Sequence, residues 1–174
     1  MITVGSYAVI ALALFDESYL DALEPLVHDP DTVRFTRVPD PAPPGYARTL
    51  LEIAEAGRDD GTREAFAIVG DDGEFLGLAV APRIDRDGLT MELGYMVTPS
   101  ARGRGVATEA LRQLTEWAFG EGMLRVELLI AAANEGSKKV AERCGYVREG
   151  VLRSTYLKPG RREDTEIWSR LATD

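Results

Sequence analysis

Two arginines and two glycines alternate within ARGRGVATEA, residues 101–110, immediately ahead of a run with helical spacing. That pattern has two chemical readings, an RNA-binding Arg-Gly tract and a loop that holds a phosphate. The first turn of a helix offers N–H groups with no intrahelical partner, at the positive end of the helix dipole. Gly103 and Gly105 would let that backbone approach an anion with no Cβ in the way. Successive N–H groups there form a nest suited to a pyrophosphate, and Arg102 and Arg104 add local positive charge. The RNA reading fits poorly: two Arg-Gly pairs are not a tract, the formal net charge is -9, and no aromatic platform accompanies them. No nucleic-acid partner is expected. Other phosphate motifs also fit poorly, because no G-x-x-x-x-G-K-[ST] occurs and Gly103-x-Gly105 is followed by Thr108 where a Rossmann turn needs glycine.

Other reactive side chains are scarce. A single cysteine, Cys144, excludes an intrachain disulfide and a cysteine-based metal cluster. A single histidine, His28, excludes a multi-histidine site, so no metal is expected. His28 lies in LVHDPDT, which reads as the end of a helix rather than as a catalytic base. Cys144 reads as a packed core thiol rather than a nucleophile.

At 174 residues the chain fits one domain, spanning 1–174, with enough length to bury a core. Charge is divided unevenly. Residues 1–98 carry 7 Lys/Arg and 18 Asp/Glu, whereas residues 99–174 carry 13 and 11. An acidic front half beside a mildly basic back half suggests two ligands of opposite character; it also serves solubility. The apolar start has no basic flank or cleavage signal and is too short to span a bilayer. No membrane partner is expected, and the chain reads as cytoplasmic.

The elements that must carry these residues follow from periodicity. SYAVIALAL (6–14) reads as a strand, and DESYLDALEPLVHD as a helix with Asp16 as N-cap. Four prolines between residues 39 and 44 make a stiff loop, followed by a second helix ending near Gly57. The apolar runs on either side of Asp71-Asp72-Gly73 form a hairpin, and GLTMELGYMV is a further strand. From about Gly105 the spacing becomes helical, with Ala107, Ala110, Leu111, Leu114, Trp117 and Ala118 on one face. A strand, a short helix stopped by Gly145, and two strands joined at Pro159-Gly160 complete the chain. Strands that first alternate with helices and then meet in hairpins indicate an α/β fold with a mixed sheet.

RGRGVA at 102–107 has the form [R/Q]-x-x-G-x-[G/A], which resembles the acyl-CoA pyrophosphate motif of the GNAT N-acetyltransferases. ELGYMVTPSARGRGVATEAL (92–111) and NEGSKKVAERCGYVREG (134–150) resemble the branch typified by the RimJ/RimL ribosomal-protein N-acetyltransferases. The resemblance implies a mostly antiparallel central sheet, splayed at its middle and flanked by about four helices. It also implies acetyl-CoA as cosubstrate, lying in the V-shaped gap of the sheet. Backbone groups of Met96 and Val97 would pair with the pantetheine arm. The N–H groups of Arg102, Gly103, Arg104, Gly105, Val106, Ala107 and Thr108 would hold the pyrophosphate, and Asn134 and Ser137 would contact the cofactor near its sulfur.

The implied reaction is direct attack of a neutral primary amine on the thioester, which requires a base because amines are protonated at neutral pH. Glu92 is the candidate base, or else a carboxylate that orients the sheet; a β-bulge is expected in its strand. Many members place a thiolate-protonating tyrosine seven residues after the asparagine. Here that position is Ala141, which leaves Ser137 as donor or as a binding group only. The acceptor is expected to be a protein N-terminal α-amine or a small cationic amine, and a homodimer is compatible with the family. A non-catalytic acyl-CoA-binding module is the alternative.

Overall fold

The computed structural model describes residues 9–174, apart from the side chain of Tyr156. Seven strands form one sheet: β1 (Ile10–Leu14), β2 (Glu64–Gly70), β3 (Phe75–Asp85), β4 (Thr90–Val97), β5 (Arg125–Ala131), β6 (Val147–Lys158) and β7 (Arg161–Leu171). Their spatial order is β1-β2-β3-β4-β5-β7-β6. Every neighbouring pair is antiparallel except β4–β5, which is parallel. Residues 6–8 of the expected first strand lie outside the described residues; the remainder of that run is β1.

Among the described residues five α-helices flank the sheet: α1 (Leu20–Val27), α2 (Pro30–Phe35), α3 (Tyr46–Asp60), α4 (Val106–Gly120) and α5 (Glu135–Arg143). On one face Leu23, Leu26, Ala47, Leu51 and Ala54 of α1 and α3 pack on Ala65 and Leu78. On the other, Val106, Ala110, Leu111, Leu114 and Ala118 of α4 and Ala141 of α5 pack on Met91, Leu93, Val126 and Leu128. Two cores thus clamp the sheet, and both reach the middle strands. Among the described residues no helix is long and apolar enough to cross a membrane.

Three boundaries differ from the sequence reading, each for a physical reason. The six-residue α2 is too short to display periodicity; Asp29 caps it by accepting from the Thr32 N–H at 3.0 Å, with Pro30 in its first turn. α3 runs past Gly57 to Gly61, whose left-handed φ of 74° ends it as the Thr62 N–H returns to the Gly57 carbonyl. Gly57 sits inside the helix because a Cβ there would lie 2.3 Å from the Arg63 side chain. The β-bulge falls on β3 rather than β4. Val80 pairs with Gly94 and Arg83 with Glu92, so Ala81 and Pro82 together oppose Leu93. Proline has no N–H to leave unpaired at that point.

Gly77 shows how tightly β3 and β4 are joined. A Cβ at this position would lie 2.2 Å from the Met96 carbonyl oxygen and 3.0 Å from the Val97 Cα. Both obstacles are backbone of a strand held from two faces, so neither can yield cheaply. Gly77→Ala is expected to destabilise the protein by about 1–3 kcal/mol, the range for overpacked interiors. Urea denaturation midpoints at constant slope check this; an unchanged midpoint would mean that the strand pair is looser than the geometry indicates.

Candidate active site

β4 and β5 are paired over only three residues, Thr90–Glu92 against Arg125–Glu127, and then diverge. Beyond Glu92 the edge of β4 has no strand partner on that side among the described residues. The Thr98 N–H donates to the Leu76 carbonyl, which fixes the ladder phase: Met96 and Gly94 exchange bonds with β3, while Tyr95 and Val97 turn their N–H and C=O groups to the open edge. Of the two residues expected to offer backbone here, Val97 therefore does so and Met96 does not; its neighbour Tyr95 takes that place. The divergence opens a cleft of about 1030 Å³, lined among others by Glu92, Met96, Val97, Gly103, Gly105 and Ser137.

The arginine-glycine passage forms the turn between a short 3-10 segment (Pro99–Ala101) and α4. Gly103 and Gly105 have φ of 72° and 80°, a region that β-branched residues avoid, and a Cβ on either would meet open space. Glu109 donates the first bond of the helix to the Gly105 carbonyl, so the N–H groups of Val106, Ala107 and Thr108 have no intrahelical acceptor. The two arginines do not behave alike. Arg104 is exposed and is not part of the cleft lining. Arg102 lines the cleft but is already engaged: it pairs with Asp29, with Asp31 at 3.1 Å, and through Nε with the Val97 carbonyl at 3.2 Å. Partial burial would raise the Asp29 carboxyl; the Arg102 guanidinium and the Thr32 N–H nevertheless hold it below the usual carboxylate range.

Glu92 stands at the vertex of the cleft, with its side chain only 9% exposed. Parallel pairing sets it beside Glu127, a like-charge neighbour that must be compensated. Arg37, from the segment between α2 and α3, meets Glu92 at 2.7 Å. Arg83 approaches Glu92 at 3.9 Å and Glu127 at 3.1 Å, and Arg125 reaches Glu127 at 2.7 Å and Glu149 at 2.6 Å. Charges of alternating sign therefore run across the short seam between β4 and β5.

On the opposite wall Asn134 caps α5, its Oδ1 accepting from the Ser137 N–H at 3.1 Å, and both residues line the cleft. Ala141, one turn beyond Ser137, is fully buried and supplies only a methyl group. Tyr95 comes to this wall from β4. Strand alternation places it on the face opposite Glu92, where it packs against the core that contains Ala141, Cys144 and Tyr146. Cys144 is buried and donates to the Thr108 carbonyl at 3.3 Å; burial pushes its thiol up, as suits a packing residue. His28 pairs with Glu24 at the end of α1 and is absent from the cleft lining.

The start of the segment between α2 and α3, ahead of the prolines, is a wall of the site, since Arg37 and Val38 line it. It is fastened from β6 by Lys158, which is 3% exposed and donates to the Val33 carbonyl and, at 2.6 Å, to that of Val38. Burial lowers the Lys158 ammonium from its usual value. Sequence reasoning missed Arg37, Lys158, Asp29 and Tyr95. Asp29-Pro30 was a readable capping signal, but the others act through partners far along the chain.

The comparisons with known proteins agree with this geometry. Residues 10–147 match the acetyltransferase (GNAT) domain model. Over 101 residues the chain is 34% identical to the "putative ribosomal N-acetyltransferase YdaF" of Bacillus subtilis, covering 58% of this chain and 55% of that protein's length. The structure of the microcin C7 self-immunity acetyltransferase MccE, in complex with acetyl-CoA and AMP, superposes with a TM-score of 0.84 at 21% identity, covering 94% of this chain and 92% of that one. RimL, the ribosomal L7/L12 α-N-protein acetyltransferase in complex with coenzyme A, gives 0.80 at 21% identity over 96% of both chains. A sheet parted at a three-residue seam, a glycine turn at its mouth and a family match over most of the length lead to one conclusion: the chain belongs to the GNAT acetyltransferase family.

Proposed function

We propose that this protein transfers an acetyl group from acetyl-CoA to a primary amine by direct attack. The observation that carries this reading is the unpaired edge of β4 ending at an open glycine turn. Tyr95 and Val97 offer backbone donors and acceptors to a pantetheine arm, as an added strand would use them. The turn at Gly103 and Gly105, with the free N–H groups of Val106, Ala107 and Thr108, then receives the pyrophosphate. A cleft of about 1030 Å³ has room for the arm and its acyl group. The acetyl-CoA and coenzyme A complexes of the two structural neighbours support acetyl-CoA as the cosubstrate.

In this reading Glu92 accepts a proton from the incoming amine, directly or through water, while the Val97 N–H polarises the thioester carbonyl. The amine nitrogen forms its bond to the carbonyl carbon, the C–S bond breaks, and the electron pair leaves on the CoA sulfur. Ser137 and Asn134 stand on the sulfur side of the cleft. The acidic front half favours a cationic acceptor, either a protein N-terminal α-amine, as the name of RimL suggests, or a small polyamine-like compound. Dependence on acetyl-CoA also favours the cytoplasm as its place of action.

Thiol release from acetyl-CoA in the presence of a panel of peptides and small amines tests the proposal. Amine-dependent release with matching acetylated product is expected. Tight acetyl-CoA binding with no release across a broad panel would instead identify a binding module without chemistry.

A further inference from the structure

Tyr95 carries a buried hydroxyl that makes no hydrogen bond among the described residues. Such orphans are rare in folded proteins, because an unpaired buried donor forfeits the hydrogen bond it would make to water. Packing alone does not require this one, since phenylalanine would fill the same space against the same core. The hydroxyl lies on the sulfur side of the cleft, and Ser137 is the polar side chain set against it. Burial pushes the phenol up to about 12, a rise that Ser137 partly offsets, so Tyr95 remains protonated and has a proton to donate. Ser137 has one proton and a freely rotating O–H bond. A helical serine commonly spends that proton on a carbonyl one turn back.

On the reading given above, we infer that Tyr95 is a positioning residue that donates to Ser137 Oγ and thereby turns the Ser137 O–H toward the CoA sulfur. The contact tightens once the cofactor fills the cleft, as active-site hydrogen bonds often do. When the C–S bond breaks, its electron pair passes to sulfur and the Ser137 O–H hydrogen-bonds to the developing thiolate. Both hydroxyl protons stay on their oxygens, and the released thiolate is protonated by solvent. The arrangement gives the leaving group a fixed donor although residue 141 is alanine and provides none.

Tyr95→Phe, Ser137→Ala and the double variant decide the matter. Tyr95→Phe is expected to lower kcat about fivefold to tenfold while KM for acetyl-CoA and the melting temperature stay unchanged or the latter rises. The double variant is expected to be no slower than Ser137→Ala. An unchanged kcat in Tyr95→Phe, or losses that simply multiply in the double variant, would overturn the inference. A second readout needs no turnover: the thiol pKa of bound CoA, followed by the ultraviolet absorbance of its thiolate, is expected to rise alike in both single variants. No rise in Tyr95→Phe would also overturn the inference. A wild-type protein that shows this thiol shift yet acetylates no amine would remove the proposed reaction and leave the Tyr95 assignment standing.

Discussion

Gly105→Val is expected to weaken acetyl-CoA binding at least tenfold, about 1.4 kcal/mol, by calorimetry or competition. Two effects act at once and need separation. The left-handed φ of 80° at this position costs a β-branched residue about 1–2 kcal/mol of stability. The new side chain also projects into the open space over the turn, where the pyrophosphate would lie against bare backbone. Gly73→Val is the matched control. Its φ is 84° and its Cβ also meets open space, but it belongs to the β2–β3 hairpin turn and does not line the cleft. Both variants should lose a few degrees of melting temperature; only Gly105→Val should lose affinity. Equal affinities in the two variants would remove the phosphate role from this loop.

The second large effect is expected at Glu92. Glu92→Gln keeps the size and much of the hydrogen bonding of the side chain and removes the carboxylate. If Glu92 takes the proton from the amine, kcat/KM should fall about a hundredfold at neutral pH, with acetyl-CoA affinity unchanged. The competing role is to anchor Arg37 and the wall that it and Val38 form. Arg37→Met separates the two, because it breaks the same ion pair at 2.7 Å and leaves the carboxylate in place. A base predicts severe loss in Glu92→Gln and mild loss in Arg37→Met. Matching losses, with a common rise in KM for the amine, would make Glu92 an anchor. Arg83 retains Glu127 in either variant, so the seam is expected to hold.

Most of this architecture was legible where the signal is local. The Asp-Asp-Gly hairpin, the amphipathic face of α4 and the glycine turn before it depend on spacing within about fifteen residues, and each appears in the structure. The errors arose where a distant residue decides the outcome. Gly57 looked like a helix stop, yet it is an interior glycine that makes room for Arg63. The bulge belongs to β3 because Pro82 sits there, not to the strand that bears Glu92. The Arg102 side chain was read only as local positive charge, whereas its guanidinium is held by Asp29 and Asp31, some seventy positions earlier. Tyr95 was invisible for a similar reason: period-two alternation gives its face, but only α5 packed across the cleft sets Ser137 beside it.

The three-residue seam between β4 and β5 also divides the sheet into two groups of strands. β1 to β4 are contiguous in the sheet, as are β5 to β7, although β1 and β2 pair across α1 to α3 and β5 pairs with β7 rather than β6. The seam alone joins them through the sheet, and it must close over the whole of α4. One wall strand of the cleft belongs to each group, and neither group contains both. The site is therefore shared between the two groups of strands and is complete only where they meet at Glu92 and Glu127.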